Sequence, residues 1–302
     1  MLWQLGRIFL DIITPVFAIV LIGYLAGPRL GLEARTLSRF AYYIPVPAFV
    51  FHVMSTAKVE SGLAIRMVIF MLAVQAGCTL LGFLTARLLR RPAEMVGAYV
   101  LIAVFGNVGN FGLPIIEFRL GPEALLPATV YFLVISTSAF VIGVAAAGWS
   151  GQGQRGALLS VLKTPALLAL PPALLINGTD LELPLFLSRI VSLLADAMIP
   201  VMLITLGVQL GEVRQIRLSR DTVIASGLRL LGGAALALLL VPLFQLDHLE
   251  RGAGILQAGM PAAVLTSIIA LEYDMAPEFV TTTVLFSTLA STVTLTLLLA
   301  LV

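Results

Sequence analysis

Long apolar windows, separated by short polar loops, run along almost the whole chain of 302 residues. A window of about twenty apolar residues is long enough to cross the hydrocarbon core of a bilayer as a helix. Ten such windows lie near residues 8–27, 36–55, 63–88, 95–118, 124–148, 157–177, 186–210, 221–243, 251–272 and 278–301. The pattern predicts an all-α polytopic membrane protein with ten transmembrane helices.

The fourth window is interrupted by residues that disfavour helix. Ala103–Phe118 reads AVFGNVGNFGLPIIEF, with glycine at 106, 109 and 112 and proline at 114. Proline lacks an N–H and clashes with the preceding turn, and each glycine weakens the helix. A break facing lipid would leave backbone polar groups unsatisfied, so it should lie in protein or line a cavity, as transporter substrate sites do. A kinked packing helix with small residues at its interface is the alternative.

The two halves of the chain resemble each other weakly. The second and seventh windows begin LSRF and LSRI, the fifth and tenth contain TVYF and TVLF, and QAGMP in the ninth matches the break in the fourth. The polar stretch WSGQGQRG lies between the halves, which gives a first repeat at 1–148, a linker at 149–156 and a second repeat at 157–302. Five spans in each half predict an inverted repeat in which broken helices 4 and 9 cross.

The composition agrees with this class: 60% of the residues are hydrophobic and 11% are charged, against about 25% charged in soluble domains. Cys78 is the only cysteine, so an intramolecular disulfide or a cysteine-based metal site is excluded. No Ser/His/Asp arrangement, metal-ligand cluster or phosphate loop is evident. We therefore expect no enzymatic activity, no cofactor, no metal and, with a net charge of +2, no nucleic-acid partner.

The distribution of Lys and Arg predicts the orientation. With the N-terminus outside, eleven basic residues fall in cytoplasmic loops, six fall on the opposite side, and Arg229 falls inside a span. The excess of positive charge inside favours two periplasmic termini, although the last cytoplasmic loop carries no basic residue.

Side chains near the two breaks are suited to binding an anion. Asn107 and Asn110 share a face if helical geometry holds, and Gln257 precedes Pro261 by four residues. Each amide group offers donors and an acceptor, and a half-helix that begins at a break directs its positive dipole end there. If the breaks cross near the midplane, three amide side chains and two backbones freed by Pro114 and Pro261 surround one site.

Two charged residues lie within predicted spans. Arg229 follows Arg220 by nine residues, about 13 Å of helix. It is predicted either to attract an anionic substrate or to be structural, by pairing or by extending its head group to the cytoplasm. Asp196 is predicted to pair with Arg229, to carry a proton, or to line a wet vestibule.

Several of these motifs resemble the auxin efflux carrier family, which includes plant PIN proteins and bacterial permeases for malate or malonate. The resemblance rests on NVGNFGLP at Asn107–Pro114 and, in the second half, on Met260-Pro261, Glu272-Tyr273-Asp274, Pro277 and TVLF at Thr283–Phe286. It covers all ten windows but lacks the long cytoplasmic loop of many plant members.

The resemblance implies a ten-helix fold of two inverted five-helix repeats. Helices 1, 2, 6 and 7 would form a scaffold that often dimerises, and helices 3–5 and 8–10 a transport domain that moves like an elevator. Asn107 matches the family's substrate-contacting Asn, and Pro114 and Pro261 match its crossover prolines. The crossover residues are expected to be Gly106, Gly109, Gly112, Pro114, Gly259, Met260 and Pro261. Ala262 and Ala263 differ from the plant pattern, which favours a small organic anion over an indole acid.

The predicted function is secondary transport of a small organic anion, a carboxylate, across a bacterial inner membrane by a homodimer. GxxxG at Gly23–Gly27 and at Gly207–Gly211 offers packing motifs, but each is short. One alternative is a sodium- or proton-coupled symporter akin to bile-acid carriers, for which carboxylates rather than amides would be expected at the crossing. The other is a transporter-like sensor that binds ligand without flux.

Overall fold

The computed structural model describes residues 2–56, 61–149, 164–179, 181, 183–212 and 217–302. Within these ranges the chain forms helices and no β-strand. Among the described residues, six helices are long and apolar enough to cross a membrane: Trp3–Leu30, Gly62–Leu88, Pro122–Gly143, Leu185–Gly211, Arg220–Phe244 and Pro277–Leu301. The predicted class, an all-α membrane protein, is confirmed. Of the predicted linker at 149–156, only Trp149 lies within the described residues.

Eight of the described α-helices lie before residue 150. They are α1 (Leu2–Ile8), α2 (Thr14–Leu30), α3 (Ala34–Tyr43), α4 (Pro45–Thr56), α5 (Ser61–Leu88), α6 (Ala93–Val104), α7 (Leu113–Leu120) and α8 (Leu125–Trp149). π-Helical turns at Phe9–Ile13 and Val108–Gly112 lead into α2 and α7, and a 3₁₀ turn at Pro122–Ala124 leads into α8.

The described part of the chain after residue 163 is also helical. Its helices are α9 (Pro165–Asn177), α10 (Leu185–Asp196), α11 (Met198–Gly211), α12 (Arg220–Gly227), α13 (Gly233–Phe244), α14 (His248–Ala258), α15 (Val264–Glu272) and α16 (Pro277–Leu301). A π-helical turn at Leu228–Gly232 joins α12 to α13.

The fourth apolar window breaks earlier than Pro114. Helix α6 ends at Val104, Phe105 and Asn107 have ψ values of 87° and 58°, and helical geometry resumes at Val108. Pro114 is the second residue of α7. The turn before it is widened, since the Gly112 N–H donates to the carbonyl of Asn107, five residues earlier. Because proline cannot donate and crowds the carbonyl four residues earlier, a π-helical turn accommodates it without ending the helix.

The ninth window breaks where the sequence places its proline. Helix α14 ends at Ala258, residues 259–263 are not helical, and α15 begins at Val264. Of the expected crossover residues, Gly106, Gly259, Met260 and Pro261 therefore lie in the two breaks. Gly109, Gly112 and Pro114 lie in the helical run that follows the first break.

The helices pack in two groups. In one, α2 packs on α11, and α4 packs on α9 and α10. In the other, α5, α6 and α8 pack on one another, α13 packs on α5, α14 packs on α8 and α5, and α16 packs on α12 and α15. Helix α6 is buried at every position from 96 to 104, as expected for a helix that is hydrophobic all round. Both broken windows belong to this second group.

The two GxxxG motifs pack against each other within the chain. A Cβ atom at Gly23 would overlap the carbonyl oxygen of Ile204, and one at Gly207 would overlap that of Val20. Small residues at such positions let two helix backbones approach closely in a membrane. These motifs therefore stabilise the α2–α11 pair rather than offering a free surface to a second copy.

Candidate functional site

The two broken segments cross and are joined by hydrogen bonds. The Asn107 N–H donates to the Pro261 carbonyl at 2.7 Å, and the Ala263 N–H donates to the Phe105 carbonyl at 2.9 Å. Gly106 and Ala262 thereby face each other as an isolated antiparallel bridge pair. Four backbone groups that a helix break would leave unpaired are satisfied by this exchange, as a membrane interior requires.

Arg229 lies at this crossing and binds backbone carbonyls. It is located in the π turn between α12 and α13, and only 1% of its surface is exposed. Its Nη1 donates to Ala103 at 2.6 Å, its Nε to Met260 at 2.8 Å and its Nη2 to Ala258 at 3.0 Å. These carbonyls belong to the last turns of α6 and α14 or to the break that follows, where helices lack intrahelical partners.

Among the described residues, Arg229 is not paired with Asp196, the partner that the sequence suggested. Asp196 is exposed at the end of α10, and the ion pairs among the described residues are Arg91–Asp221 and Arg217–Glu278. Each helix C-terminus carries roughly half a negative charge, so two such ends offset about one guanidinium. The dipoles of the broken helices thus replace the carboxylate that a buried arginine would otherwise need.

Gly106 makes room for the guanidinium. A Cβ atom at this position would lie 2.5 Å from Arg229 Nη2, closer than van der Waals contact allows. The glycine in the first break is therefore required by the side chain that binds the second break, in addition to its effect on helix formation.

The opposite ends of the crossing helices have no such neutralising side chain among their described contacts. The run that begins at Val108 and the helix that begins at Val264 each start within two residues of the Gly106–Ala262 bridge. The first N–H groups of a helix lack intrahelical acceptors and carry roughly half a positive charge. With the C-terminal ends offset by Arg229, the net field at the crossing is positive, which favours an anion.

Asn107 and Asn110 lie at the first of these N-terminal ends. Asn107 is 4% exposed, and its Nδ2 has no hydrogen-bond partner among the described residues. Asn110 is half-buried one turn further on. A buried amide donor without an acceptor costs about 1–3 kcal/mol, so the Asn107 side chain is available to an incoming acceptor such as a carboxylate.

Gln257 is the second-last residue of α14, immediately before the second break. It is fully buried, its Nε2 donates to the Ala128 carbonyl at 3.3 Å, and its Oε1 lies against Gly112 without a donor. Its Nε2 hydrogen bond joins α14 to α8, and its Oε1 packs against the Val108–Gly112 turn. Asn107 thus precedes the Val108–Gly112 turn, Asn110 lies within it, and Gln257 contacts its last residue.

Three polar residues at the crossing are not candidates in the sequence-based site. Gln75 donates to the Val104 carbonyl at 3.2 Å, and Ser287 accepts from the Ala262 N–H at 3.1 Å. Thr266, in the first turn of α15, is fully buried and its hydroxyl has no partner among the described residues. Gln75 stands out as an isolated amide in an apolar window, whereas Ser287 and Thr266 cannot be told from other hydroxyl residues of their helices.

Comparison with known proteins identifies the family of the chain. The sequence profile of a family described as "Membrane transport protein" matches residues 8–146 and 154–299. The chain belongs to this family, the auxin efflux carrier family. The match leaves out only the chain ends and a short segment between the halves, so family membership applies to the whole molecule.

Relatives from archaea and bacteria align along nearly their full length. An uncharacterized transporter of Methanocaldococcus jannaschii is 24% identical over 92% of this chain and 94% of its own. One of Methanothermobacter thermautotrophicus is 27% identical over 95% and 96%. A Rhizobium meliloti protein named "Putative malonate transporter" is 26% identical over 96% and 95%. All three are named as transporters, as expected for a family of membrane transport proteins.

Proposed function

We propose that this family member is a secondary active transporter of a small organic anion, a carboxylate, bound where the two broken helices cross. The observation that carries the proposal is the asymmetry of the crossing. Arg229 occupies the negative ends of the helices, while the positive end at Val108 holds the unpaired amide of Asn107. The name of the Rhizobium relative supports a dicarboxylate of the size of malonate.

The chemistry at Val108 suits a carboxylate. The N–H groups of the first turn point out of the helix end, and a carboxylate offers two oxygens with about four acceptor sites. Glycine at 106 and 109 lets neighbouring side chains pack against the backbone, Arg229 at the first position and Phe132 with Met202 at the second. Hydrogen bonds to a charged partner contribute about 1.5–3 kcal/mol each, so two or three would give a useful affinity without a full positive charge on the protein.

We further propose that transport proceeds by an elevator motion within an inverted repeat. The break follows α6 after 12 helical residues and α14 after 11, which supports two related halves. The α2, α4, α9, α10 and α11 group would be the scaffold and the group that contains both breaks the moving domain. Distances between labels on the two groups, recorded with and without the anion, would test this motion.

We also propose that the transporter is a homodimer in a bacterial inner membrane, with both termini in the periplasm. The excess of basic residues in alternate loops supports the orientation, and the resemblance to the family supports the dimer. Alkaline phosphatase fused to the C-terminus should be active if the orientation is correct, and native mass spectrometry reports the subunit number.

Counterflow in proteoliposomes tests the transport activity. Vesicles loaded with unlabelled malonate should take up labelled malonate transiently. Vesicles loaded with a monocarboxylate or with sulfate should take up less labelled malonate. Binding without counterflow would identify a sensor. Absence of both binding and counterflow across a panel of small dicarboxylates would contradict the proposed substrate class.

A further inference from the structure

The carbonyl oxygens bound by Arg229 form the kind of site that binds a metal cation. Three oxygens from two chain segments, those of Ala103, Ala258 and Met260, lie 2.6–3.0 Å from one guanidinium, and a fourth, of Gln257, lies 3.5 Å away. In transporters with broken helices, unwound carbonyls and half-helix C-termini commonly coordinate the coupling sodium ion. Here the positive charge at that location belongs to the chain itself.

We propose that Arg229 is a tethered counter-ion, which occupies the place of a coupling cation and removes any need for sodium at the crossing. The occupancy stands on the geometry alone, and its consequence for coupling rests on the proposed transport function. The site that remains when the guanidinium is removed should accept a small monovalent cation, with free guanidinium as the best match.

The burial of Arg229 distinguishes this role from that of an arginine that reaches toward water. The side chain is 1% exposed and all three of its nitrogens donate to carbonyls at the crossing. The planar group with its fixed donors is held in one orientation. A lysine ammonium is a compact charge on a flexible stem, so it can supply the charge but cannot reach all these oxygens together.

Among the described residues, no other charged group accounts for the neutralisation of Arg229. No group of three or more His, Cys, Asp or Glu residues that could hold a metal ion occurs in the described part of the chain. The two described ion pairs lie elsewhere, at Arg91–Asp221 and Arg217–Glu278. The carbonyl dipoles of α6 and α14 therefore neutralise the charge of Arg229, and the guanidinium takes the place of a bound cation at these carbonyls.

Chemical rescue tests the inference on purified protein without any substrate. Arg229→Ala should lower the melting temperature on the order of 10 °C, because the carbonyls lose their partner in a buried site. Millimolar guanidinium chloride should restore a large part of this loss with a saturable dose response. Urea, which has a similar planar shape and no charge, should restore none. Wild-type protein should respond to neither at these concentrations.

A second variant and a wild-type measurement keep the inference testable if Arg229→Ala does not fold. Arg229→Lys should fold with an intermediate melting temperature, and wild-type counterflow should be unchanged when sodium is replaced by choline. A strict sodium requirement in the wild type, or an alanine variant that guanidinium, sodium and lithium all fail to stabilise, would overturn the inference. Rescue by guanidinium together with absent counterflow would uphold the tethered counter-ion and reject the proposed transport instead.

Discussion

Replacing Asn107 with aspartate should nearly abolish binding of the organic anion while leaving the fold intact. The two side chains have almost the same shape, but the substitution puts a negative charge beside the expected position of the carboxylate. Two like charges about 4 Å apart interact by about 4 kcal/mol at the effective dielectric constant of a partly buried site. That energy corresponds to a loss of affinity of about a thousandfold, which titration calorimetry with malonate would detect.

Two comparisons separate charge from shape in this experiment. Asn107→Ala removes the donor without adding charge, so affinity should fall only about ten- to a hundredfold. In the aspartate variant, binding should recover partly as the pH is lowered, because protonation removes the repulsion. Equal affinity in wild type and Asn107→Asp, with unchanged melting temperatures, would show that the anion binds elsewhere.

Gly233→Ala should disrupt the crossing by displacing the end of α14, although Gly233 lies in neither break. A Cβ atom at Gly233 would overlap the carbonyl oxygen of Ala258, which accepts a hydrogen bond from Arg229. Because the obstacle is backbone, the end of α14 must move, and overpacking of this kind costs about 1–3 kcal/mol. We expect a lower melting temperature and loss of anion binding, since Met260 and Pro261 follow directly on the displaced residue.

The neighbouring glycine provides a matched control. The nearest atom to a Cβ atom at Gly232 would be a methyl carbon of Leu81 at 3.6 Å, an ordinary contact. Gly232→Ala should therefore be neutral or slightly stabilising, because alanine favours helix by up to about 1 kcal/mol over glycine. If both alanine variants behave alike, the close approach of α13 and α14 does not support the site.

Sequence patterns identify the class of the protein and the location of the second break. Apolar windows predict the membrane class because length and hydropathy are local properties, and six helices among the described residues are long and apolar enough to be spans. Pro261 marks its break because no π-helical turn accommodates it. Pro114 does not mark the first break, because the widened turn at Val108–Gly112 accommodates the proline, and helical geometry is lost at Phe105, nine residues earlier. The position of this break depends on the second broken segment that crosses it, and a local sequence pattern carries no information about that segment.

The hydrogen-bond partners of Arg229 could not be predicted from the sequence pattern. Its depth in a span follows from counting residues, but its partners are carbonyls from segments 31 and 126 positions away in the chain. Backbone acceptors have no sequence signature, so side-chain counting proposes a carboxylate such as Asp196. The GxxxG motifs present the same problem, because Gly23 and Gly207 identify close-packing surfaces without saying that each is the partner of the other.

The most direct test of the central claim is the position of the bound anion relative to the helix end at Val108. Solid-state NMR can measure dipolar coupling between carboxylate-¹³C malonate and protein with ¹⁵N-labelled asparagine and glycine in bilayers. We expect coupling to the Asn107 side chain and to the Gly109 N–H at about 3–4 Å, the separation that hydrogen bonding to a carboxylate imposes. Saturating malonate that binds, yet shows no coupling to either nitrogen, would contradict an anion site at the crossing.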